Sequence, residues 1–247
     1  MAPRLVVLSL ASDFGCQVQL TNMTEELLDV LGLVDLSYWQ LATSGHMPDD
    51  YDVAIVEGAV TTDEHVELLH RVRETAAVVI AIGACANIGG IPAIAGLSDL
   101  DDRYAVVYGA GDAVARGRRA PLPLDAFVKV DYHVHGCPID TSEFLRVLSG
   151  VLLGLSDRVP DMTMCASCKT QETVCFYDHG ELCLGLVTRA GCGARCPSLG
   201  RACTGCRGIA PDANLASARE IAVRSGRPIG ELDNALLIYN AAKEVRV

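Results

Sequence analysis

Eight of the chain's eleven cysteines fall between residues 165 and 206. Cys165, Cys168, Cys175, Cys183, Cys192, Cys196, Cys203 and Cys206 follow the pattern C-x2-C-x6-C-x7-C-x8-C-x3-C-x6-C-x2-C. Thiols at this density and spacing commit a segment to disulfide or metal chemistry, and the redox compartment separates the two. The apolar run Leu5 to Ala11 follows Arg4, but it is short for the apolar core of a signal peptide and leads into Ser12-Asp13 rather than a small-residue cleavage site. Asp13, Phe14 and Gly15 are also poor neighbours for lipid attachment at Cys16. A cytoplasmic location is expected, where lasting disulfides are rare and thiols are available to metal.

Structural zinc takes four ligands, often as two C-x2-C pairs. Cys165/Cys168 with Cys203/Cys206 would satisfy one ion and leave Cys175, Cys183, Cys192 and Cys196 unused. Eight thiolates suit two four-iron clusters better, and Cys196-Pro197 is similar to the bacterial ferredoxin run in which the cysteine before proline ligates the other cluster. On that pattern Cys165, Cys168, Cys175 and Cys196 share one cluster, and Cys183, Cys192, Cys203 and Cys206 the other. Residues 159–210 are expected to form a small, loop-rich, ferredoxin-like two-cluster domain entered at Pro160-Asp161.

The rest of the chain reads as α/β. Half of the 247 residues are hydrophobic but only 5% are aromatic, so Ala, Val, Leu, Ile and Gly do the packing, as in a parallel sheet covered on both faces. The runs 4–11, 36–42, 51–56, 76–82 and 128–134 are expected strands. Between them, helical spacing is expected over 17–33, over 63–75 with Asp63 as cap, and over 142–155 begun by Asp140 or Thr141. This alternation over residues 1–158 predicts a doubly wound parallel sheet. Residues 97–125, with Asp99, Asp101, Asp102, Arg116, Arg118 and Arg119, read as a long excursion that is either a partner surface or a solvated loop. In the tail, 211–247, helices are expected over 216–223 and 229–247. A net charge of -11 argues against nucleic acid, and no apolar segment is long enough for a membrane span.

Asp13, Cys16, Cys85 and Cys137 each follow the carboxyl end of an expected strand. In a parallel sheet those ends share one edge, so the four side chains can converge there. Together with the eight downstream cysteines they supply the ligands of three four-iron clusters, with no cysteine left over. His133, His135 and His179 could act as ligands or proton carriers, but ordinary hydrogen-bonded or surface histidine is the expected reading.

The segments DFGCQVQL, VEGAV, IGACA, YHVHGCP, CASCK and LCLGLVTRAGCGARCPSLGRACTGCRG, in that order, resemble the small, electron-transferring subunit of nickel-iron hydrogenases. The likeness covers about residues 4–210 and is strongest to the cytoplasmic, multimeric, NAD(P)-linked type, including the sulfhydrogenase delta subunit. The iron-sulfur subunit of respiratory NADH:quinone oxidoreductases is a narrower relative. It shares a flavodoxin-like N-terminal domain and one cluster but lacks the C-terminal cluster domain. The resemblance implies a large subunit that holds the nickel-iron site. It further implies a proximal cluster on Asp13, Cys16, Cys85 and Cys137 facing that subunit, and medial and distal clusters passing electrons to a flavin and NAD(P)-binding partner with further iron-sulfur sites. It also offers a consecutive partition, with Cys165, Cys168, Cys175 and Cys183 distal and Cys192, Cys196, Cys203 and Cys206 medial. Glu57 matches an acidic residue beside the proximal cluster, and is either a group for proton transfer or hydrogen bonding or a plain capping or loop carboxylate. Where many members have cysteine this chain has Asp13, which either ligates iron as a harder donor or leaves a three-iron, 3Fe-4S cluster. The chain is expected to be an enzyme subunit that does not turn over alone. A stand-alone polyferredoxin-like carrier and a zinc-stabilised interaction protein are the alternatives.

Overall fold

A computed structural model describes residues 2–109 and 117–242. Its centre is a five-stranded, wholly parallel sheet of β1 (Arg4–Ser9), β2 (Asp35–Trp39), β3 (Val53–Glu57), β5 (Val78–Ile82) and β7 (Tyr132–Val134), in the order β2-β1-β3-β5-β7. With β4 (Val60–Thr62) and β6 (Arg118–Leu122) outside the sheet, this is the strand order of doubly wound flavodoxin-type folds. Successive residues of a strand point to opposite faces, and the three central strands are apolar at every step except Arg4, Ser9 and Glu57 at their ends. Leu5, Val7, Val53, Ile55, Ile80 and Ile82 therefore enter one core, while Val6, Leu8, Ala54, Val56, Val79 and Ala81 enter the other. Helices α1 (Gly15–Thr21), α2 (Glu25–Leu31) and α6 (Thr141–Leu152) cover the first face. Helices α3 (Asp63–Thr75) and α4 (Gly83–Ile88) cover the second.

Several expectations need correction. The helix expected over 17–33 is two helices, because Thr24 sits at φ 48° between α1 and α2. The cap of α3 is Thr62, whose hydroxyl accepts from the His65 amide at 3.2 Å, so Asp63 is the first residue inside the helix. Asp140 does cap α6, accepting from the Glu143 amide at 3.0 Å. The excursion at 97–125 contains helix α5 (Leu100–Tyr108) and strand β6 (Arg118–Leu122), which pairs antiparallel with β4 (Val60–Thr62) outside the main sheet. Arg116 and the end of the helix expected over 229–247 lie outside the described residues.

From residue 159 onward, regular structure is sparse. Short helices α7 (Met164–Thr170) and α8 (Arg195–Ser198) and two 3-10 turns surround a small core of Met164, Cys183, Ala194 and Cys203. Helices α9 (Leu215–Arg224) and α10 (Ile229–Asn240) then fold back. Ala218, Ala222, Leu232 and Leu236 pack on Leu184 and Val187, and α10 also reaches α4 and residues 91–97. Helices α9 and α10 are thus built into the molecule, with the cysteine-rich segment on one side and α4 with residues 91–97 on the other.

Candidate functional site

Four strands deliver the first set of groups to the carboxyl edge of the sheet. The loop after β1 carries Asp13 and Cys16, β3 ends on Glu57, β5 runs into α4 with Cys85 in its first turn, and Cys137 follows β7. Gly83 makes this convergence possible: its φ is +85°, and a Cβ there would stand 2.5 Å from Cys16 Sγ, so any other residue would push the sulfur aside. Cys16 is buried, Cys85 partly buried and Cys137 exposed, which gives the site one side in the core and one open to the surface. The Cys16 peptide N–H donates to Glu57 Oε1 at 2.9 Å, while Oε2 of this buried carboxylate has no hydrogen-bond partner. Asp13 is exposed and folds back to accept from the Gly15 amide at 2.9 Å, close enough to Cys85 and Cys137 to interact electrostatically with both. Burial pushes the Cys16 and Cys137 thiols up and that of Cys85 to about 12, with neighbouring thiols and carboxylates adding to the effect.

The eight downstream cysteines separate into two groups. Cys165 lies among Cys183, Cys168 and Cys175, and Gly185 sits beside the Cys183 and Cys165 sulfurs. Cys206 lies among Cys192 and Cys196, and Cys203 stands between Cys183 and Cys206. Cys183 keeps company with Cys168 and Cys175, and also with Cys203. Burial raises the Cys165 and Cys206 thiols to about 11 and drives Cys183 and Cys203 upward as well.

The three groups touch in series. The Cys137 peptide faces the Cys206 sulfur, and the Cys203 peptide N–H donates to Cys183 Sγ at 3.3 Å. In each contact the peptide belongs to one group and the sulfur to the next. Tyr239, on α10, lies beside Cys137 and Thr204 where the first two groups meet. His133 pairs with Asp157 through Nδ1 at 3.1 Å and stacks on His135, whereas His179 is exposed beside the Cys175 group. Tyr239, Arg207 and Glu143 were not singled out by the sequence. The only local signal was Arg207 directly after the last cysteine.

The donor chemistry fits iron-sulfur clusters: eleven thiols, peptide N–H groups aimed at sulfur, and partial burial. Among the described residues no three His, Cys, Asp or Glu side chains are gathered as they would be around a single metal ion. No helix of the described residues is long and apolar enough to cross a membrane.

Residues 14–151 match the family described as NADH ubiquinone oxidoreductase, 20 Kd subunit. The chain is 33% identical to the sulfhydrogenase 2 subunit delta of Pyrococcus furiosus, over 88% of this chain and 91% of the relative. It is 29% identical to the NAD-reducing hydrogenase HoxS subunit delta of Cupriavidus necator, over 61% of this chain and 79% of the relative. A chain in the crystal structure of an NAD+-reducing nickel-iron hydrogenase in the H2-reduced state superposes with a TM-score of 0.56 at 28% identity, covering 65% of this chain and 96% of that one. The chain therefore belongs to the family of the NADH ubiquinone oxidoreductase 20 Kd subunit, among the small subunits of nickel-iron hydrogenases.

Proposed function

We propose that this chain is the electron-transfer subunit of a nickel-iron hydrogenase, carrying three iron-sulfur clusters between the metal site of a large subunit and an NAD(P)-linked flavoprotein partner. Bound clusters supply one-electron carriers. The protein supplies their order: Asp13, Cys16, Cys85 and Cys137 hold the proximal one, Cys192, Cys196, Cys203 and Cys206 the medial one, and Cys165, Cys168, Cys175 and Cys183 the distal one. Residues 1–158 form the flavodoxin-like part, 159–210 the two-cluster part and 211–247 the helical tail. The observation that carries this reading is the serial contact of three thiol groups, from the exposed edge at Cys137 through Cys206 to Cys183. The open side at Asp13 and Cys137 suits a large subunit docked there. Glu57 holds the Cys16 peptide and keeps one buried oxygen available to a proton or water.

Iron, sulfide and zinc per chain in anaerobically purified complex test the reading. About twelve iron with about twelve sulfide are expected, and about eleven iron would mean a three-iron cluster in which Asp13 is a bystander. Asp13→Cys is expected to alter the spectrum and potential of the proximal cluster alone. Zinc with little iron would replace the electron-transfer reading with that of a structural module.

A further inference from the structure

Arg207 is 1% exposed, and its guanidinium joins three separated parts of the chain. Nη1 and Nη2 fork onto Glu143 Oε2 and Oε1 of α6 at 2.6 and 2.7 Å. Nη1 also donates to the His135 carbonyl at 2.7 Å, and Nε to the Ala190 carbonyl at 2.9 Å. His135 lies two residues before Cys137, Ala190 two before Cys192, and Arg207 itself follows Cys206. One side chain thus grips the peptide entering a cysteine of the first group, the peptide entering a cysteine of the second, and the strut on α6. Gly191 is shaped around it, with φ +125° and a virtual Cβ only 2.2 Å from Nη2.

A buried ion pair is a poor way to add stability, because desolvating two charges costs about what their attraction returns, and apolar residues of equal volume often do better. What a bidentate Arg–carboxylate pair does provide is orientation. We propose that the Arg207–Glu143 pair is a positioning clamp that sets the spacing between the sheet-edge centre and the Cys192, Cys196, Cys203 and Cys206 centre, holding the Cys137 peptide against the Cys206 sulfur as the route for electrons between them. This rests on the electron-transfer reading above. The clamp also places a full positive charge beside Cys192 and Cys206, balanced by Glu143.

The test uses the complex with its large subunit and the variants Glu143→Gln and Arg207→Lys. Iron content, cluster potentials and the magnetic interaction between neighbouring reduced clusters are read alongside hydrogen-linked dye reduction and D2/H+ exchange. Glu143→Gln leaves the guanidinium uncompensated, so the potential of the second centre is expected to rise more than that of the sheet-edge centre. Arg207→Lys keeps the charge but loses the fork. It is expected to hold the potentials near wild type, weaken the magnetic interaction and slow dye reduction, with D2/H+ exchange unchanged. Loss of iron from the second centre alone also supports the clamp. Unchanged potentials and interaction in both fully loaded variants overturn it. So does loss of all iron from both, which would leave the pair a purely structural one. A wild-type complex with the magnetic interaction but no hydrogen-linked reduction removes the hydrogenase reading and leaves the clamp standing.

Discussion

Glu57 illustrates how one side chain at the sheet edge serves packing and chemistry together. Its Oε1 accepts the only hydrogen bond found for the buried Cys16 amide, so Glu57→Ala orphans a donor at a cost of about 1–3 kcal/mol. For a chain of this size that lowers the melting temperature by about 2–4 °C per kcal/mol. Glu57→Gln keeps an acceptor in place and is expected to lose less than half as much. Equal losses in thermal melts of the metal-free chain would show that the hydrogen bond is not what Glu57 contributes. The approach of Asp13, Cys16, Cys85 and Cys137 to one another was legible in the sequence because each follows the carboxyl end of a strand, and those ends share one edge of a parallel sheet. Arg207 and Glu143 were not, since a pair 64 residues apart leaves no local periodicity to read.

At the scale of elements, the central strands were readable because burial on both faces leaves polar residues only at their ends, at Arg4, Ser9 and Glu57. The break between α1 and α2 was hidden for the opposite reason. Leu20 and Met23 enter the core and Leu27 and Val30 pack against it, so helical spacing persists straight through the turn at Thr24. Helix α5 has no buried residue, and β6 is an edge strand containing Pro121, so neither carries an apolar pattern to find. Helix α10 holds the tail through Leu232 and Leu236, which are 1% and 2% exposed. Leu236→Ala is expected to cost about 2–5 kcal/mol in denaturant melts, as for other large-to-small core changes. Because Leu236 packs with Leu184, next to Cys183, the same variant is expected to lose iron first from the Cys165 to Cys183 group. Uniform iron loss from all three groups would contradict that local role.

For the whole molecule, the buried thiols couple folding to pH. Their values lie above the ordinary 9.0, reaching about 11 for Cys165 and Cys206 and about 12 for Cys85. The metal-free fold therefore favours the protonated thiol. That contribution is complete below pH 9 and is lost as pH rises through 11 to 12. Melting temperatures of the reduced, metal-free chain are expected to fall across this window. In the loaded protein the sulfurs are already deprotonated by metal, so the dependence should flatten. Parallel curves for the two forms would mean that the thiols do not ligate metal.

Both contacts between neighbouring thiol groups are made by peptide N–H groups, which every residue except proline carries. Apart from Gly136, whose φ is +136° and where a Cβ would stand 2.7 Å from the Pro138 carbonyl oxygen, substitution beside them leaves the donors where they are, whereas one residue gained or lost near Cys137 or Cys203 slides a donor past its sulfur. The spacing between the groups therefore depends on loop length at these two points, in addition to the proposed Arg207–Glu143 clamp. Divergence within such a chain is expected to run through replacements at constant length in these two loops, and to place its insertions elsewhere.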